Sequence, residues 1–215
     1  MANLAKPVTI IVAAVVIAGG AGLFMARRST PPPSETPQAS VSPSGGGRFK
    51  GPENAPITLM EFGDYQCPSC GAYFPIVNEV MRRYPTQVRL EFHHYPLVGM
   101  HPLAMPAALA AEAAGDQGRF WEMHDRIYEN QAKWSAKPNA ESEFLMYASE
   151  LGLNINQFMQ SMRSPTTQNR ILSDVTRARE AKAPGTPTFY INGKRIETPK
   201  GVNEFSQVIQ EHLPK

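Results

Sequence analysis

The sequence contains two cysteines, Cys67 and Cys70, separated by Pro68 and Ser69. A thiolate, not a thiol, attacks a disulfide, so the question is which sulfur the surroundings can ionise. The pair closes too small a loop to restrain an unfolded chain, which makes a bond between them reactive rather than structural. A disulfide scaffold needs several separated cysteines, and the chain has none to spare. A metal reading stops at half a site, because zinc usually takes four protein ligands and there is no second CxxC or CxxH. Two inert buried thiols are the remaining alternative. The position of the pair argues against it, since CxxC at a strand-to-helix junction is a fairly specific arrangement.

That junction is legible. Residues 57–65 (ITLMEFGDY) are apolar and β-prone, as in a strand covered on both faces. Residues 67–84 then place Phe74, Val77, Val80, Met81 and Tyr84 at helical spacing, with Pro75 expected to kink the helix. A cysteine at the first turn meets unpaired N–H groups and the helix dipole, which lower its pKa. Pro68 suits the helix start, where its missing N–H costs nothing. Cys67 is therefore the expected nucleophile. Cys70, one turn later on the same face, is the expected resolving thiol.

Other candidates surround the pair. Glu61 stands in the apolar strand, six residues before Cys67. If buried, its pKa rises and it can shuttle the proton of Cys70; a sheet-edge carboxylate facing water fits the pattern equally well. Asp64 reads as a solvated or capping group. Pro187 follows Thr186 just before a strand. A cis bond there would let the Thr186 backbone pair with an extended substrate, but residue physics alone favours an ordinary trans turn proline. His93, His94 and His101 receive no role. Trp121, Trp134 and the methionines of the helical region read as core, a few of them lining a peptide groove.

Residues 88–97 form a second strand, and helical patterns fill about 102–182. Residues 188–197 read as a hairpin around Asn192-Gly193, followed by a closing amphipathic helix. The order is strand, helix, strand, helices, hairpin, helix: an α/β domain at 48–213 with an all-helical insertion. Before it, residues 8–25 are an uncharged apolar run of 18 residues, enough to cross a bilayer. Length favours an uncleaved anchor, while Gly19-Gly20-Ala21 keeps a cleaved signal segment open. Either reading assigns residues 1–28 to targeting and sends the rest across a membrane. Residues 29–47, rich in Pro, Ser and Gly, read as an extended disordered linker. Beyond residue 28 acids outnumber bases by one, so the domain offers no basic stripe and nucleic acid is excluded as a partner.

Three segments together, GPENAPITLMEFGDYQCPSC, VRLEFHHYPL and GTPTFYINGK, resemble the DsbA-like branch of the thioredoxin superfamily over about residues 49–213. The resemblance implies a thioredoxin-like fold, a central mixed β-sheet flanked by helices, with a helical insertion domain. It implies that Cys67 is the exposed nucleophile and Cys70 its buried partner. It makes Pro187 the cis-proline, with Thr186 before it, and Glu61 the buried glutamate. It implies no cofactor beyond the Cys67–Cys70 disulfide and no metal. The implied partners are folding secreted proteins with cysteines and a membrane redox protein that reoxidises the pair. The implied location is the periplasm, or the outer side of a bacterial inner membrane. One departure stands out: Ser69 occupies the place of a histidine in the best-known oxidising member. That leaves a dithiol oxidase, an isomerase or reductase kept reduced by a membrane donor, and a non-catalytic metal- or peptide-binding module as the readings to separate.

Overall fold

A computed structural model describes residues 46–214. The apolar run at 8–25 and most of the linker lie outside the described residues. Among the described residues, no helix is long and apolar enough to cross a membrane.

Five strands form one mixed sheet in the order β1-β3-β2-β4-β5. They are β1 (Arg48–Lys50), β2 (Ile57–Gly63), β3 (Val88–His94), β4 (Thr188–Ile191) and β5 (Lys194–Arg195). β2 and β3 run parallel, joined by helix α1 (Pro68–Arg83), while β1, β4 and β5 pair antiparallel to their neighbours. The βαβ unit and the closing hairpin are those the periodicity predicts. β1 is the addition: at three residues it is too short to show a period of two.

β2 is the central strand, which is why it carries large apolar side chains on both faces. Ile57 and Leu59 pack with Val77 and Val80 of α1 and with Phe205 and Ile209 of α8 (Val202–His212). Met60 and Phe62, alternating to the opposite face, pack with Ala178 and Tyr190. The hairpin turns at Asn192 and Gly193, whose φ angles of 50° and 80° fit the left-handed turn that an Asn-Gly pair favours. The Asn192 side chain also accepts the Thr58 N–H at 2.8 Å, tying the turn to β2.

Between β3 and β4 lie α2 (Ala104–Gly115), α3 (Phe120–Glu129), α4 (Gln131–Trp134), α5 (Glu141–Glu150), α6 (Ile155–Met162) and α7 (Pro165–Glu180). α2 is alanine-rich and buried on nearly every side, so it forms the axis of the helical layer. Trp134, Phe144 and Phe158 fill the space around it. α7 belongs to both layers, with Ile171 in the helical core and Ala178 against the sheet. The helical pattern over this stretch is interrupted between α3 and α4 at Asn130.

Two buried ionic clusters join these layers. On β3, His93 contacts Asp174 of α7 at 2.6 Å and Glu91 at 2.8 Å. Burial alone would lower the His93 pKa, but the two carboxylates outweigh it and raise it. In α2, Glu112 accepts from Arg48 of β1 at 2.8 Å and from Arg170 of α7 at 2.6 Å, and lies 3.2 Å from His94 Nε2.

Candidate active site

The carboxyl end of β2 runs straight into α1, and the cysteine pair sits at that joint. Cys67 is the residue just before the first helical turn, with extended backbone, and Pro68 opens the helix. Cys67 keeps 7% of its surface and Cys70 none, while Pro68 and Ser69 are exposed. Cys67 is thus less open than the resemblance implies, although it is the more accessible of the two. Both cysteines are free thiols.

The two sulfurs are driven apart in acidity. The Cys67 thiol is lowered to about 5, chiefly by its hydrogen bond with the Cys70 side chain. Burial opposes this; the backbone groups of Cys70 and Ser69 reinforce it. The helix-terminus amides therefore contribute, as expected, but the neighbouring thiol contributes more. Cys70 is pushed well above the usual thiol range, first by burial, then by the Cys67 sulfur and the Glu61 charge. The Asp64 N–H points at Cys70 Sγ from 3.5 Å.

Glu61 is 5% exposed, and burial pushes its carboxyl up to about 8. The central place of β2 removes the sheet-edge alternative. Glu61 alternates with Met60 and Phe62, so it shares the α1 face of the sheet with Ile57 and Leu59, close enough for its charge to act on Cys70. Across the site, the Thr186–Pro187 peptide bond is cis, and the Thr186 carbonyl oxygen lies 3.4 Å from Cys67 Sγ. Beside it runs an open groove lined by Gly185, Thr186, Pro187, Arg195 and Glu197.

Several positioning residues escaped the sequence reading. Asp64 is buried, so of its two readings the solvated one fails and the capping one fits: one oxygen accepts the N–H groups of Gln66 and Cys67 ahead of α1, the other that of Leu97 and a contact with His101. An aspartate followed two residues later by a polar residue at a turn is the available signal, since its side chain mimics a backbone turn. Gln131 donates to the carbonyls of Tyr65 and Cys67 at 2.7 and 2.9 Å, and a side chain at Gly71 would collide with it. Gln66 spans from the Leu103 N–H to the Ser135 carbonyl. No local pattern announces Gln131 or Gln66, because their partners lie more than thirty positions away. Of the residues read as core, Trp134 and Met123 are buried and Trp121 is partly buried, whereas Met146 is exposed. Among the described residues, no group of three or more His, Cys, Asp or Glu side chains could hold a metal ion.

A sulfur ionised at neutral pH, in contact with one that is not, is what exchange of thiols for disulfides requires. On this sheet, with this proline loop opposite, the class is a thiol–disulfide oxidoreductase of thioredoxin fold. The family model described as Thioredoxin matches residues 44–211, and the chain belongs to that family. It is similar to BdbD from Bacillus subtilis in its oxidised crystal structure, with a TM-score of 0.71, 24% identity, and coverage of 81% of this chain and 97% of that one. A thioredoxin-like oxidoreductase from Silicibacter pomeroyi aligns with a TM-score of 0.67 and 26% identity, over 78% of this chain and 92% of its own. Among curated proteins, the Na(+)/H(+) antiporter NhaA 1 of Salinispora arenicola is 42% identical over 146 residues, which is 68% of this chain and 22% of the antiporter. The chain thus spans under a quarter of the length of that relative.

Proposed function

We propose that this chain is a dithiol oxidase. Its Cys67–Cys70 disulfide is passed to cysteine-bearing polypeptides on the outer side of a membrane. The observation that carries this reading is the depressed pKa of Cys67, about 5. A thiolate that stable lowers the free energy of the reduced form, so the disulfide gives itself up readily. In the cycle, a substrate thiolate attacks Cys67 and Cys70 leaves. A second substrate thiolate then attacks the substrate sulfur, and Cys67 departs as a thiolate. The substrate gains the disulfide, the protein keeps both electrons, and a membrane redox partner takes them up. Thr186, beside Cys67, offers its backbone to an extended substrate, and Pro68 and Ser69 form the exposed rim over which the substrate passes.

The apolar run at 8–25 would tether the domain, with residues 29–47 as spacer, on the periplasmic or extracytoplasmic face. A matching segment within antiporters, which work in membranes, supports operation next to one. The deciding measurement is the reduction potential, by equilibration with glutathione. An oxidase is expected to lie on the oxidising side of about −200 mV. A value near that of thioredoxin, about −270 mV, would sink the oxidase reading in favour of a reductase.

A further inference from the structure

Among the buried hydroxyls without a partner, that of Tyr128 stands nearest the buried half of the exchange site. Tyr128 is 5% exposed, and its hydroxyl has no hydrogen-bond partner. A buried unpaired hydroxyl costs stability, so its retention calls for a reason. The ring is held by Tyr65 of the active-site turn, centroids 4.8 Å apart, and stacked on Phe74, one turn beyond Cys70, at 5.2 Å. This aims the hydroxyl at the end of β2, where it would lie 3.2 Å from a side-chain carbon added at Gly63. Gly63 shares a strand face with Glu61, two positions back. It also precedes Asp64, whose N–H points at Cys70 Sγ. The Tyr128 hydroxyl, an uncommitted donor, thus sits at the end of β2 near the Cys70 sulfur and Glu61, close enough for the charges of both to act on it.

We propose that the Tyr128 hydroxyl holds the negative charge as it passes between Cys70 and Glu61. The proposal rests on the exchange reading and adds a third residue to its buried half. When an incoming thiolate bonds to Cys67, the electron pair of the broken S–S bond moves to Cys70 Sγ. Glu61 gives its proton to that sulfur and recovers one from solvent. Tyr128, unpartnered in the dithiol form, turns its hydroxyl onto the charge and donates first to the thiolate, then to the carboxylate. Burial, followed by the charges of Cys70 and Glu61, holds the Tyr128 ionisation well above the ordinary phenol range, so it acts as a donor and keeps its proton.

The test mixes the oxidised full-length protein with reduced glutathione and follows opening of the Cys67–Cys70 bond by acid quenching and mass analysis. Tyr128→Phe is expected to slow opening about tenfold, the loss of one hydrogen bond to a buried charge. The reduction potential should stay unchanged, because Cys70 is protonated in the reduced protein at neutral pH. The melting temperature should not fall, since the hydroxyl has no partner to lose. Opening within about twofold of the parent overturns the proposal, as does slowing accompanied by a lowered melting temperature. A parent protein that leaves glutathione unoxidised overturns the exchange reading and this proposal with it.

Discussion

The Asp64 carboxylate contacts His101 Nδ1 at 2.7 Å through one oxygen, while the other accepts the Gln66 and Cys67 amides at 2.8 and 3.3 Å. One side chain thus ties the turn carrying Cys67 to the loop after β3, where Met100 stands 70% exposed. Asp64→Ala would strand buried amides on both segments, costing about 3 kcal/mol in urea unfolding. His101→Ala removes a single partly exposed contact and should cost about 1 kcal/mol. Equal losses in the two variants would show that Asp64 does not serve as the common anchor.

The acidity of Cys67 depends first on Cys70. Cys70→Ala should therefore raise the Cys67 midpoint above about 5, read from thiolate absorbance against pH. The same variant should hold mixed disulfides, whereas Cys67→Ser should form none. A midpoint unmoved by Cys70→Ala would assign the effect to the helix terminus instead.

Two groups give stability opposite slopes with pH. Burial raises Glu61 from 4.5 to about 8 in the folded protein. Over that window the folded state holds a proton that the unfolded state releases, so stability falls as pH rises. Cys67 is depressed from 9.0 to about 5, so its contribution is complete above 9.0 and lost as pH falls through about 5. It titrates only in the dithiol form. The stability of the reduced protein relative to the oxidised one should therefore grow between about pH 5 and 9, and Glu61→Gln should flatten the decline of the oxidised protein. Urea midpoints of both redox forms across that range provide the check; parallel curves would contradict the Cys67 assignment.

Glu112 binds groups from three elements, Arg48 of β1, His94 of β3 and Arg170 of α7. Burial works against its ionisation, but Arg48 and His94 outweigh it and hold the carboxyl below the ordinary range. Glu112→Ala leaves two guanidinium groups and an imidazole without their shared acceptor. The expected cost is about 3–5 kcal/mol of stability, with the Cys67 midpoint unchanged. A loss below about 1 kcal/mol would mean that the cluster is solvated rather than buried.

The chain's own residues determined the strand-to-helix joint at Cys67, the order of elements from β2 onward and the Asn192-Gly193 hairpin. Each of these is fixed over a few adjacent positions, by a period of two, a period of 3.6 or a turn that needs positive φ. They determined, too, that Cys67 and Cys70 would lie one turn apart. What tertiary structure decided was the environment of each group. Glu61 became a raised acid because β2 took the centre of the sheet, Asp64 a buried anchor because the loop after β3 returned to it, and Tyr128 a neighbour of Cys70 because α3 packed across α1. Such assignments depend on partners dozens of residues distant, and burial and charge act through space rather than along the chain.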